Sequence, residues 1–469
     1  MSAGKTHPPA GEATVRWLDE RVGAATLARK AMRYVFPDHW SFLLGEIALY
    51  AFAVLIATGT FLALFFDPST TEAPFRGGYA PLQGASVSGA FQSTTDLSLN
   101  VPAGLLMRQT HHWAALVFVA AIVVHLMRIF FTGAFRKPRD VNYLIGLTLL
   151  ILAILEGFAG YSLPDDLLSG MGLAIAYSVV MSIPLVGANL AFLIWGGEYP
   201  GSPAFESRLY IVHVFVLPAV LAALIAVHLA IIVRQCHSQF RGPGRRQGNV
   251  IGTPLWPAYA LRSIGLLLAV GAVLVLLGGL IQINPIWQYG PYEPWLGTNG
   301  AQPDWYLGWL IGALRLMPPL EIHFWGRTWV PNPFFGGILF PTVVFVSLYA
   351  WPFVERRLTR DRAAHHLLDR PRDRPRRTAL GAAFFSWVAI VFVAGSADRI
   401  LVSVGFPYEG QVWFFRFAAL VVPVLVYAVT RRTCEQLLAG SPPGVAGTAR
   451  HDDSPAARSE PWPRTTDRA

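Results

Sequence analysis

Eight apolar runs, each long enough to cross a bilayer, constrain this chain more than any other feature: 41–66, 112–132, 143–163, 208–233, 262–285, 336–354, 379–397 and 412–430. A spanning helix needs about 20 mostly apolar residues. Within lipid the backbone must satisfy its own hydrogen bonds, which leaves the helix as the structure such runs can adopt. The expected fold is therefore an all-α integral membrane protein with eight transmembrane helices. Composition agrees: 54% of residues are hydrophobic and 14% charged, against about 45–50% and about 25% in soluble domains. These proportions exclude a string of soluble domains. The lack of long acidic or low-complexity tracts excludes a mainly disordered chain.

A ninth apolar run, 174–196, is assigned by the charges. The net charge is +9, carried by 37 Lys and Arg. With eight spans and a cytoplasmic N-terminus, most of these fall in 1–40, 133–142, 234–261, 355–378 and 431–469. Arg76, Arg108, Arg208, Arg315, Arg327, Arg399 and Arg416 remain on the other side. That asymmetry is what the positive-inside rule expects. A ninth span would move Arg245, Arg246 and the stretch from Arg356 to Arg377 across the membrane. The run at 174–196, broken by Pro184 and Gly187, is thus read as helices lying on the outer surface. The basic balance is then a topology signal, with no nucleic acid partner, in a multi-pass protein of the cell membrane with both termini cytoplasmic.

The outer loops 67–107, 164–207 and 286–335 are rich in Gly, Pro, Trp and Tyr, as in loops that cover a binding site. The first 30 residues are polar, with room for an amphipathic helix, and the tail 436–469 reads as disordered. The two cysteines, Cys236 and Cys434, are too few for a metal cluster, and as cytoplasmic thiols they are not expected to pair. No cleavable signal peptide is visible.

The histidines carry the chemistry. His111 and His125 in the second helix are 14 residues apart, nearly four turns at about 100° per residue, so both leave almost one face, about 21 Å apart along the axis. His213 and His228 in the fourth helix are 15 apart, with Pro218 between them to absorb the offset by a kink. Both helices run from outside to inside. His111 is therefore level with His213, and His125 with His228, forming two bis-histidine sites, one per leaflet. Such sites fit haem, for which imidazole is an axial ligand. Zinc would need three or four ligands at each level. The plain alternative for any one of these histidines is a hydrogen-bonded core residue, although ionisable groups at membrane depth are usually functional.

A second spacing agrees. Gly45 and Gly59 in the first helix, and Gly146 and Gly160 in the third, are each 14 apart. Glycine admits a flat ring close to the backbone, and tight helix packing selects the same residue. Arg108, Arg128 and Arg208 lie three to five residues from the histidines, suited either to haem propionates or to snorkelling at the interface. The chain divides into a cytoplasmic segment 1–40, a haem-binding four-helix bundle with outer surface helices 41–233, a cytoplasmic loop 234–261, a C-terminal four-helix region 262–435 and the tail.

On the motifs RQTHHWAALVFVAAIVVHLMR, GFAGYSLPDD, RLYIVHVFVLPAVLAALIAVHLAIIVRQ and QPDWYLGW, the sequence resembles cytochrome b of the quinol:cytochrome c reductase (cytochrome bc) complexes, over about 30–435. GYSLPDDLLSG, GGLIQINPIW and HHLLDRPRDRPRRTA are most similar to the actinobacterial, menaquinol-using branch. The resemblance implies two b haems, one on His111 and His213 and one on His125 and His228, with Gly45, Gly59, Gly146 and Gly160 beside them. It implies a Q-cycle: quinol oxidised at the outer face, electrons passed through the haems, quinone reduced at the inner face. The family's quinol-oxidation motif, usually Pro-Glu-Trp-Tyr, stands here as Pro303-Asp304-Trp305-Tyr306, with a carboxylate one methylene shorter. Tyr161 is expected to line the same pocket. Asp304, Asp165 and Asp166 have capping of short helices as their plain alternative. The inner quinone candidates are Asp38, His39, Arg234 and His237. His112, 13 residues before His125, is a reserve ligand. His365 and His366 are expected at the surface, and Cys236 is expected to be a passive thiol. The implied partners are a Rieske iron–sulfur protein, a dihaem cytochrome c, a haem-copper oxidase in a supercomplex, the lipid bilayer and a second copy of the chain. Two readings compete: a haem-b membrane anchor of another quinone-linked oxidoreductase, which has no need of Asp304, and a haem-free membrane transporter.

Overall fold

The computed structural model describes residues 10–23, 31–296 and 302–440. Among them, eight helices are long and apolar enough to span a membrane: Trp40–Ala63, Gly104–Thr132, Asp140–Tyr161, Ala204–Gln235, Leu255–Leu280, Phe335–Thr359, Pro375–Ser396 and Tyr408–Ala439. These first to eighth spans contain or overlap all eight expected runs. The ninth run is two shorter helices, Leu167–Met181 and Gly187–Trp195, separated around Pro184. Asp166 caps the first of them, accepting from Ser169 N and Leu168 N at 3.3 Å each, so the capping role holds for Asp166. The N-terminal segment carries a helix at Ala10–Val22. Four two-stranded sheets in the loops are the only strands among the described residues.

Two boundaries change. The second span starts at Gly104, which places Arg108 inside it. The eighth runs on to Ala439, past the expected tail boundary at 436. The rest of the tail, 441–469, lies outside the described residues.

Lipid is as apolar as the side chains, so span association rests on close packing and hydrogen bonds. The first and second spans pack on each other, as do the third and fourth. The fifth packs on the first two, crossing the expected division at 262. Its Gly278 faces Thr110 backbone to backbone. The seventh holds the helix Gly308–Leu316, with Gly308, Gly312 and Gly395 in mutual backbone contact. That contact fixes the single turn Trp305–Leu307 immediately before it. The continuous core runs through Phe118, Leu147, Leu150, Val344, Leu348 and Val391.

At the end of the bundle that carries Arg139, the loops are joined by short strand pairs: Val35–Phe36 with Thr253–Pro254, antiparallel, and Gln239–Phe240 with Leu367–Leu368, parallel. The second pairing draws 365–369 inward and overturns the surface placement of His365 and His366. His366 is 1% exposed, with its Nδ1 2.9 Å from an Arg139 Nη2. His365 pairs with Asp361 at 2.8 Å and is mostly buried. Asp369, also buried, meets Arg136 at 3.0 Å, Arg374 at 3.2 Å and Arg377 at 2.8 Å. Cys236 is buried and free, as is Cys434, and burial raises the Cys236 thiol pKa against the pull of Arg139.

Candidate functional site

The four histidines fall into two levels. His111 and His213 stand with ring centroids 6.3 Å apart, their planes nearly perpendicular. The 15-residue interval from His213 to His228 is accommodated at His213 itself. Residues Val212–Val216, which include His213, form a π segment, and an i→i+5 turn takes up one extra residue. Pro218, with no N–H to offer the preceding turn, follows directly. The helix therefore absorbs the offset around His213 rather than by a kink at Pro218.

The expected glycines face the imidazoles. A Cβ on Gly59 would lie 3.1 Å from His111 Cε1, on Gly160 2.5 Å from His213 Cε1, on Gly45 3.3 Å from His125 Cε1, and on Gly146 3.7 Å from His228 Cε1. The flat rings these four positions admit in the structure are the imidazoles themselves.

The Nδ1 atoms separate the levels. Thr58 Oγ1 donates to Val54 O at 2.7 Å and is 3.0 Å from His111 Nδ1. With its proton used, the hydroxyl accepts from Nδ1–H, which leaves His111 Nε2 as the lone-pair nitrogen. His213 Nδ1 lies 3.1 Å from both the carbonyl and the Oε1 of Glu156, with the same consequence for its Nε2. At the other level the His125 and His228 Nδ1 atoms are buried without a hydrogen bond, His228 only turning toward the Asn142 backbone. No group of three or more His, Cys, Asp or Glu placed to hold a metal ion occurs among the described residues. The donor set at each level is two imidazoles, which matches a haem iron that needs only axial ligands from protein.

The arginines differ among themselves. Arg108 is buried, donates to Asn284 O at 3.0 Å, and keeps an unpaired Nε. Arg128 has buried, unpaired Nε and Nη2 atoms, with its guanidinium 4.2 Å over the Phe42 ring. Orphaned guanidinium nitrogens beside each histidine level fit an anionic group such as a propionate. Arg208 is exposed and makes no such arrangement.

Asp304 occupies the N-cap position of the turn Trp305–Leu307 but makes no capping bond with its side chain. One carboxylate oxygen lies 2.6 Å from His112 Nε2, and the other accepts from Tyr306 O–H at 2.8 Å. His112 is thus an Asp304 partner, not a reserve ligand. Tyr306 is buried, its hydroxyl packed over Gly157 where no side chain fits. Burial, then the Asp304 charge, push its phenol pKa well up, with Tyr161 and Glu156 in electrostatic range. Tyr161 is buried against Gly172. Trp305 packs edge-on to Tyr306, with ring centroids 6.1 Å apart. Pro303 immediately precedes Asp304.

At the opposite end, two of the four candidates come together. The His39 ring is 4.5 Å from Phe240, and the His237 ring 4.9 Å from Phe36 and 6.3 Å from Phe42. Burial, then Arg139 and Arg128, hold His237 down at about 4, and burial, then Arg128 and Arg245, lower His39. Asp38 turns instead to Thr253 (2.7 Å) and Arg262 (3.2 Å), and Arg234 is exposed. Sequence reasoning missed Thr58, Glu156 and Phe240. The 14-residue interval from Gly45 to Gly59 was the signal for the first, since Thr58 adjoins Gly59. A glutamate at membrane depth was the signal for the second.

These features define a class: a multi-pass membrane protein whose second and fourth spans hold two tiers of facing histidines, with a carboxylate loop closing one end. A family model described as Cytochrome b(N-terminal)/b6/petB matches residues 116–291. The chain is 45% identical over 433 residues to the cytochrome bc1 complex cytochrome b subunit of Streptomyces coelicolor, covering 92% of this chain and 79% of that one. It is 46% identical over 438 residues, with the same coverage, to that subunit of Mycobacterium tuberculosis. The fold is shared with a chain of a hyperthermophilic respiratory Complex III: TM-score 0.65, 21% identity, 88% of this chain and 100% of that chain covered. The chain belongs to the cytochrome b subunits of cytochrome bc1 complexes, a haem-b, electron-transport family of the respiratory chain.

Proposed function

We propose that this chain is the cytochrome b of a menaquinol:cytochrome c reductase, oxidising menaquinol at its Asp304 end and reducing a quinone at its Arg139 end in a Q-cycle. The observation that carries the reading is the pair of histidine levels, each histidine faced by a glycine. Two bound b haems supply one-electron transfer between the two ends. His111 with His213, and His125 with His228, would hold them, with Arg108 and Arg128 as partners for their propionates.

The residues at the Asp304 end perform proton chemistry. A carboxylate within hydrogen-bond reach of a quinol hydroxyl is a suitable acceptor. His112 and Tyr306 fix the Asp304 side chain from two directions, which compensates for its being shorter than glutamate. Pro303, Trp305 and Tyr161 shape and dry the pocket. At the other end His39 and His237, both held neutral, would hydrogen-bond a quinone among Phe36, Phe42 and Phe240. Asp38 and Arg234 belong to its approach rather than its wall.

The bundle sits in the cell membrane with the Asp304 end outward and both termini cytoplasmic, a reading supported by the basic loops at the Arg139 end. As in the relatives named for the bc1 complex, the chain works inside a Complex III. We assign it a Rieske protein as first electron acceptor, a dihaem cytochrome c beyond that, a haem-copper oxidase in a supercomplex, and a second copy as dimer partner. Difference spectra of the purified complex test the reading. Two b-type signals are expected, and reduction of both by menaquinol. Absence of b-type absorption refutes it.

A further inference from the structure

The two histidine levels are related by a shift of 14 residues along three spans, and the shift exposes a difference in charge. On the first span, Thr58 precedes Gly59, and the equivalent residue before Gly45 is Leu44. On the third, Glu156 lies four residues before Gly160, and the equivalent before Gly146 is Asn142. On the second, Arg128 lies three residues after His125, and the equivalent after His111 is Ala114. One level therefore has a hydroxyl and a carboxylate where the other has a leucine and an amide, while each keeps one arginine, Arg108 three residues before His111 and Arg128 three residues after His125.

We propose that Glu156 is the residue that sets the redox potential of the haem held by His111 and His213, drawing it below that of the haem held by His125 and His228. This rests on the haem reading given above. The third span presents its glycine to one edge of the His213 ring; at Nδ1 the Glu156 carbonyl is the hydrogen-bond acceptor at 3.1 Å, and the carboxylate Oε1 lies beside it, also 3.1 Å from Nδ1. The second oxygen, Oε2, is buried with no hydrogen-bond partner. An acceptor on the far nitrogen of a ligating imidazole makes the near nitrogen a stronger donor; the Glu156 carbonyl fills that place, and its carboxylate adds negative charge beside the ring. Stronger donation, together with the nearby negative charge, favours the oxidised iron and lowers its potential. At the other level the His228 Nδ1 has no anionic partner. Electrons then run downhill from the Asp304 end toward the Arg139 end because of residues on this chain. Glu156 is a positioning residue: it acts through His213 and touches no substrate.

Redox titration of the b haems in the purified complex tests this. In Glu156→Gln, with both haems retained, the lower of the two midpoint potentials should rise while the upper stays in place. Glu156→Asp should restore most of the wild-type value. An unchanged lower potential in Glu156→Gln, or an equal shift of both, overturns the assignment. If Glu156→Gln retains fewer than two haems, the reciprocal change Asn142→Asp decides: a fall of the upper potential alone upholds the proposal, and two unshifted potentials overturn it. Absence of b-type absorption in the unmodified complex removes the haem reading itself, and this inference with it.

Discussion

The two ends of the bundle hold their titratable groups in opposite ways. At the Asp304 end, burial pushes the carboxyls of Asp165 and Asp166 up to about 6. At the Arg139 end, burial and the arginines press imidazoles down: His237 to about 4 by burial, Arg139 and Arg128, and His366 to about 3 by burial, Arg139 and His237. Burial opposes ionisation of Asp369, but Arg136, Arg377 and Arg374 outweigh it and hold that carboxyl at about 2. One end thus holds buried carboxyls whose ionisation burial opposes. The other is a cationic cage around imidazoles held uncharged. Folding the same few residue types at both ends gives opposite chemistry, because the arginines are gathered at one of them.

The largest effect should come from the histidines. His125→Leu and His213→Leu should each remove one of the two haems completely, read by pyridine haemochrome and difference spectra. Retention of both in either variant breaks the two-level arrangement. Asp304→Asn should slow quinol oxidation by about 10²–10⁴-fold with both haem spectra intact, and wild-type turnover would show that His112 and Tyr306 hold an idle carboxylate.

At the opposite end, Asp369→Asn takes from Arg136 its ion-pair partner in a buried site and leaves Arg377 only Glu355, at 3.0 Å, at a cost of about 3–5 kcal/mol. Thermal melting of the complex should fall, with haem content unchanged just below the transition. An unaltered melting curve would mean the cage carries no structural role.

The smallest effect concerns pH. Asp165 and Asp166 have folded pKa values above their unfolded ones, so their ionisation opposes the fold, and stability at that end falls as pH rises from about 4 to about 6. His237 has a folded value below its unfolded one, so its protonation opposes the fold, and stability at that end falls as pH drops from 6.5 toward about 4. Hydrogen exchange corrected for intrinsic rates should therefore show 236–251 loosening and 162–196 tightening as pH falls from 7 to 5. A parallel response of both segments would erase the contrast.

The spans, their number, the surface character of 174–196 and the two histidine levels were legible in the sequence. Each follows from periodicity and from the cost of putting polar backbone or charge in lipid, which leave few solutions. The partner of Asp304 was not legible. His112 and Asp304 are separated by 192 residues and meet because the helix Gly308–Leu316 is pinned to the seventh span through Gly308, Gly312 and Gly395. The same holds for His366, which a basic loop suggests is solvated and which a two-residue parallel strand pair buries.

The sequence by itself determined that the chain spans a membrane eight times and carries two tiers of histidine, because hydrophobic length and helical period are local properties. Only the tertiary structure decided which tier has a carboxylate beside its imidazole, which aspartate meets a histidine, and which arginines close around Asp369. Those depend on contacts between residues far apart in the chain, fixed by close packing of spans whose association lipid itself does not drive.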